Sequence, residues 1–212
     1  MVSTKGARMS NYGPGGAGKT RDIDTCLTIA SYANRIADLA TQTEVKDMAG
    51  QVWDINTALT AMKQAFRECH DRGDKVILLG NGGSSAIASH VAIDYTKNGG
   101  IRTISLNDFP TITCLSNDFG YANVFSKQLE YYARPSDVVV CISTGGKSQN
   151  IRNAAFTAGR VMGLKTYTFT GMHDDNPLRS AGDLNFYVRS FDYGIVEITH
   201  LTLLHHLCPC TI

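Results

Sequence analysis

The sequence predicts a parallel α/β sandwich: a central sheet of five parallel strands covered by helices, with further helices ahead of it. Three observations lead there. From Lys75 onward, short apolar β-rich runs alternate with segments of helical period, the pattern of a parallel sheet joined by crossover helices. Before that point, apolar residues recur at helical spacing in two long stretches. Two strand-to-helix junctions are rich in glycine and hydroxyl side chains, as at the ligand-binding edge of such sheets.

Residues 1 to 20 are rich in Gly, Ser and Lys with little periodicity, and read as a mobile tail ahead of a single domain over 21 to 212. Inside that tail, Gly13-Pro14-Gly15-Gly16-Ala17-Gly18-Lys19-Thr20 fits every fixed position of the GxxxxGK[ST] nucleotide loop. Such a loop needs a buried strand before it to hold its N–H groups and lysine rigid. Up to Tyr12 only Val2 and Met9 are large aliphatic residues beyond the initiator, so an ATP site is discounted.

From Asp22 the spacing of Ile29, Tyr32, Ile36 and Leu39 predicts one helix. After a break near Thr41 to Glu44, Val52, Ile55, Leu59, Met62 and Phe66 predict a second, which Gly73-Asp74 end. Strands are expected over Lys75 to Leu79, Arg102 to Leu106, Asp137 to Ser143, Lys165 to Thr170 and Asp183 to Val188. Helices are expected near 84 to 97, 110 to 116, 121 to 133, 148 to 162 and 194 to 208.

Composition excludes several classes. Of 212 residues, 43% are hydrophobic and 18% charged, ordinary for a soluble domain and far from disorder. A net charge of +1 argues against a nucleic-acid partner. No run of about 18 apolar residues offers a membrane span, and the polar start is not a secretory signal, so a cytoplasmic protein is expected. Cys26, Cys69, Cys114, Cys141, Cys208 and Cys210 lack disulfide or zinc-finger spacing and read mostly as buried thiols. Cys208 and Cys210, near the end, are the ones expected to be exposed.

The informative junctions are Leu79-Gly80-Asn81-Gly82-Gly83-Ser84-Ser85 and Ile142-Ser143-Thr144-Gly145-Gly146-Lys147-Ser148. Glycines let a ligand approach the backbone, serines can cap the following helix, and a helix N-terminus offers amide donors to an anion. In the second junction three hydroxyls and Lys147 join those donors, enough to surround a phosphate. Either turn alone could be a tight connection only; two in one sheet favour an anion site.

These motifs resemble the sugar isomerase (SIS) domain family, and more closely its phosphoheptose isomerase branch. The similarity runs from about residue 22 to the C-terminus, through Leu115-Ser116-Asn117-Asp118-Phe119-Gly120-Tyr121 and His200-Leu201-Thr202-Leu203-Leu204-His205-His206-Leu207-Cys208. The resemblance implies a three-layer α/β/α fold, a homotetramer with shared sites, and interconversion of sedoheptulose 7-phosphate with a heptose 7-phosphate. It further implies that Asn81, Gly82, Gly83, Ser84, Asn117 and Asp118 contact the sugar. Ser143, Thr144, Gly145 and Ser148 would hold its phosphate.

His90 and Asp94, four apart on a helix, share a face and could share a metal ion or simply pair. The resemblance places zinc ligands at His90, Asp94, Glu197 and His205, with Asp94 standing for a glutamate and Glu197 for a glutamine. Glu197 is also expected to touch substrate. Eight residues of straight helix span about 12 Å, so Glu197 and His205 of one copy cannot both reach one ion. Either two subunits supply them or the helix starts after Glu197; an obligate oligomer is expected. His200 reads as structural, and His205 and His206 could also be packing histidines.

For aldose–ketose exchange, Asp94 is the candidate base that removes the proton next to the carbonyl, and His205 its acid-base partner. A tight ligand and a free base are competing roles for one carboxylate. Asp94, Gly145, Glu197 and Ile198 depart from the family's usual pattern. The alternative is a sugar-phosphate sensor that kept the pocket and lost the chemistry, although such a protein has no need of His90, Asp94 and His205.

Overall fold

A computed structural model describes residues 28–208. The tail, its Gly13 to Thr20 motif, the start of the first helix, Cys26 and Cys210 lie outside the described residues.

The chain runs α1 (Ile29–Thr41), β1 (Glu44–Asp47), β2 (Val52–Trp53), α2 (Ile55–Asp71), β3 (Val76–Gly80), α3 (Gly83–Lys97) and β4 (Thr103–Ser105). It continues through α4 (Phe109–Phe119), α5 (Val124–Tyr132), β5 (Val138–Ser143), α6 (Gln149–Phe156), β6 (Lys165–Gly171), β7 (Leu184–Val188) and α7 (Tyr193–Leu207). The sheet has seven strands in the order β2-β1-β7-β6-β5-β3-β4. The five expected strands pair in parallel, and β1 and β2 add an antiparallel hairpin beside β7.

That hairpin is where helical periodicity misleads: Val52 lies in a strand, not at the start of the second helix. Local chemistry explains it. Asp47 Oδ1 accepts the N–H groups of Ala49 and Gln51, both at 2.9 Å, and Gly50 takes φ 84° to close the turn. Asp54 then caps α2 through the Thr57 N–H at 2.9 Å. The helix expected over 121 to 133 opens as a 3₁₀ turn, Tyr121–Asn123, and the one expected to reach 162 loosens into a π turn over Thr157–Val161.

Because β5 is buried on both faces, its side chains go alternately to two cores. Val138, Val140 and Ile142 join α2, α3 and α7 on one side; Val139 and Cys141 meet α4, α5 and α6 on the other. The α/β/α layering follows. Helix α1 packs through Tyr32, Ile36 and Leu39 onto α7 and Val188. No helix among the described residues is long and apolar enough to cross a membrane.

Cys69, Cys141 and Cys208 are buried, with burial pushing the Cys69 thiol up to about 11. Cys208, expected to be exposed, is held inside by the turn that ends α7; its thiol faces the Asp94 carbonyl at 3.7 Å. Cys114 on α4 is the exposed one instead.

Candidate functional site

Strands β3 and β5 are hydrogen-bonded neighbours, with Gly80 opposite Ile142, so both glycine-rich turns leave the same edge of the sheet side by side. They line one cleft of about 520 Å³. Asn81, Gly82, Gly83 and Ser84 come from the first turn, and Ser143, Thr144, Gly145, Lys147 and Ser148 from the second. Met172 and His173 after β6, with Tyr193 and Glu197 on α7, complete it.

Among the described residues α3, α5 and α6 lack a side-chain cap, and of these α3 and α6 start at the cleft, at Gly82 and Ser148. Helices α1, α2, α4 and α7 are capped by Thr28, Asp54, Asp108 and Asp192 side chains. Neither α3 nor α6 has a side-chain cap, and at α3 the cap position is Gly82 at φ 54°, not a serine. The first amides of both helices therefore have no side-chain acceptor from their own caps, and both N-termini face the cleft. A Glu197 carboxylate oxygen lies within 2.4 Å of where a Gly83 β-carbon would stand, so α3 already has an anion beside it. The α6 end has Lys147 and the Ser143, Thr144 and Ser148 hydroxyls, and no carboxylate other than Glu197 lines the cleft.

The two turns are clamped together. Asn81 and Asn150 exchange amide hydrogen bonds at 2.9 and 3.0 Å, and the Tyr121 hydroxyl donates to Asn81 Oδ1 at 2.9 Å. The Asn81 carbonyl oxygen is thus committed to holding the site. Glycine is required at two further points: a β-carbon on Gly80 would stand 2.6 Å from the Ser84 carbonyl, and one on Gly146, at φ 62°, 2.0 Å from Asn176 Oδ1.

A second cluster lies elsewhere on α3 and α7. His90, Asp94 and His205 each offer a ligand atom within 4.8 Å of the others. His90 Nε2 is 3.2 Å from His205 Nε2 and 3.3 Å from Asp94 Oδ2, and His205 Nδ1 is 3.5 Å from Asp94 Oδ2. Ligand bonds of about 2.0–2.1 Å place tetrahedral donors roughly 3.3 Å apart, the spacing of His90 Nε2 from His205 Nε2 and from Asp94 Oδ2, while the short contact of His205 with Asp94 is made by its other nitrogen, Nδ1. Glu197 is not in this group, because α7 is continuous from Tyr193 to Leu207 and carries it two turns away into the cleft. By helical rise, Asp94 sits roughly 16 Å along α3 from Gly83, and none of the three lines the cleft.

Asn117 and Asp118 are on the last turns of α4, exposed and bonded to each other at 3.0 Å, and do not line the cleft. Their segment reaches the site through Tyr121. His200 is fully buried, its Nε2 3.0 Å from the Thr170 carbonyl, and burial pulls its pKa down to about 4. Sequence reasoning missed Asn150, Met172, His173 and Tyr193. The rule that picked out the ends of β3 and β5 also applies to β6, whose end supplies Met172 and His173.

Two uncapped helix ends open on one cleft, and the SIS domain profile matches residues 31–171. The chain belongs to the SIS domain family. Within the family it falls in the phosphoheptose isomerase branch. The phosphoheptose isomerase of Geotalea daltonii is 32% identical over 171 residues, covering 78% of this chain and 87% of the relative. That of Pelobacter propionicus is 35% identical over 161 residues, covering 73% and 84%. The solved structure of phosphoheptose isomerase GmhA from Neisseria gonorrhoeae superposes with a TM-score of 0.73 at 25% identity, covering 86% of this chain and 96% of that one. In this SIS domain the parallel core carries both glycine turns, and the β1–β2 hairpin widens the sheet on the side away from β3 and β4.

Proposed function

We propose that this protein is an aldose–ketose isomerase acting on a sugar phosphate, sedoheptulose 7-phosphate to D-glycero-D-manno-heptose 7-phosphate. The carrying observation is the cleft in which an uncapped α6 N-terminus, Lys147 and the hydroxyls of Ser143, Thr144 and Ser148 converge. With Glu197 already beside α3, the α6 end is the seat for the phosphate, and the first turn faces the sugar. The names of its relatives support the same substrate.

Isomerisation moves a proton between adjacent carbons. Asp94 takes it from the carbon next to the carbonyl, leaving an enediolate; His205, 3.5 Å away, moves a proton between the two sugar oxygens, and a proton then returns to the neighbouring carbon. His90, Asp94 and His205 would hold a zinc ion, which when bound polarises the carbonyl oxygen and stabilises the enediolate. The Oδ2 atom of Asp94 faces both imidazoles, while Oδ1 accepts from Asn98 at 3.3 Å. One oxygen cannot be ligand and free base together, so assays with and without zinc separate the roles.

Since cleft and cluster are apart in one chain, the complete site is assembled between copies, in a homo-oligomer read here as a tetramer. Glu197 of one copy and the histidine cluster of another would then meet over a single sugar. The test follows sedoheptulose 7-phosphate by NMR with purified protein, with and without zinc, for wild type, Asp94→Asn and His205→Ala. Wild-type turnover lost in both variants is expected. Turnover intact in both removes the assignment, and tight binding without wild-type turnover makes the protein a sensor.

A further inference from the structure

Met172 is the one non-glycine residue with a left-handed backbone among the described residues, at φ 61°. A long side chain there is strained, and such strain persists only where neighbours fix it. The Met172 N–H donates to the Ser190 carbonyl at 3.0 Å, and its own carbonyl accepts the Tyr187 hydroxyl at 2.8 Å. The buried Tyr187 ring lies 4.1 Å from the Arg179 guanidinium, which pairs with Glu44 on β1. Arg179 also donates to the Asp174 carbonyl at 2.8 Å. The segment is tied to the phosphate turn as well: the Gly171 N–H donates to the Thr144 carbonyl at 2.8 Å, and Asn176 is seated on Gly146.

This backbone aims the side chain. The Met172 sulfur lies 3.6 Å from where a β-carbon on Gly145 would stand, over bare backbone in the middle of the phosphate turn. It brings an apolar group over a turn whose own side chains are the hydroxyls of Ser143, Thr144 and Ser148 and the Lys147 ammonium. In a terminal sugar phosphate, the group next to the phosphate is a methylene with no hydroxyl of its own.

We propose that Met172 determines specificity: its thioether walls the phosphate seat so that a primary phosphate ester fits and an ester substituted on the phosphate-bearing carbon does not. Tyr187 is the positioning residue that keeps it there. The inference rests on the reading above that this turn holds a sugar's phosphate.

Glycerol 3-phosphate and glycerol 2-phosphate are isomers that differ only in whether the ester is primary or secondary. Their binding is measured by calorimetry for wild type, Met172→Gly, Met172→Leu and Tyr187→Phe, so the readout does not depend on turnover. Wild type is expected to prefer the primary ester about tenfold, the scale of one carbon in a fitted pocket. Met172→Gly, which relieves the strained backbone and so folds, is expected to lose that preference, Met172→Leu to keep it, and Tyr187→Phe to lose part of it. Wild type that binds both esters equally, or a preference unmoved in Met172→Gly, overturns the proposal. A preference unmoved in Tyr187→Phe alone removes the positioning role. Wild type that binds neither ester, nor sedoheptulose 7-phosphate, sinks the sugar-phosphate reading itself.

Discussion

His90 and His205 bring their Nε2 atoms to 3.2 Å, with an Asp94 oxygen within 3.5 Å of a ring nitrogen of each. On the proposed reading these two imidazoles and the carboxylate hold a dication. Zinc at a hundred times its dissociation constant should stabilise the wild-type fold by about 2.7 kcal/mol. In a thermal melt, that gain should vanish in His90→Ala and His205→Ala. An equal gain in all three proteins would place the ion elsewhere.

The two site carboxylates should separate by kinetics. Asp94→Asn is expected to lower kcat at least about a hundredfold, the usual scale of general-base loss. Glu197→Gln, which alters the cleft beside Gly83, should act mainly on KM. Steady-state rates on sedoheptulose 7-phosphate decide, and reversed results would make Glu197 the base.

Gly146 is irreplaceable on two counts, its φ of 62° and the Asn176 amide pressed against it. Gly146→Ala should destabilise by about 2 kcal/mol or more in urea unfolding. Adding Asn176→Ala should recover only part of that, since it removes the overlap and leaves the backbone strain. Full recovery would mean that the φ angle costs nothing here.

Acid should weaken the fold through His200. Its folded pKa of about 4 lies below the ordinary 6.5, so between those values the unfolded chain binds the proton and the folded one does not. The contribution is complete above about pH 6.5 and is lost as pH falls towards 4. Melting temperature across that window should fall more steeply in wild type than in His200→Phe. Parallel curves would show that His200 does not carry the effect.

Much of this was legible in the sequence. The strands expected over Lys75 to Leu79 and Asp137 to Ser143 form, buried, as β3 and β5, and the glycine-rich turns after them line one cleft. His90 and Asp94 could be paired by spacing alone. The hairpin was not legible, because Val45, Val52 and Ile55 also fit a helical period and the turn depends on Asp47 bonding its own backbone. The role of Met172 was hidden for another reason: nothing in a methionine announces a left-handed backbone, which is imposed by Tyr187 and Ser190 from elsewhere in the chain.

The hairpin has a consequence for how the molecule behaves in a crowded solution. Without it, β7 would offer five residues of unsatisfied ladder to any passing chain. Instead the sheet ends on β2, two residues long, and its opposite rim is β4, only three. Neither border is long enough to template growth, which works against fibrous stacking between copies.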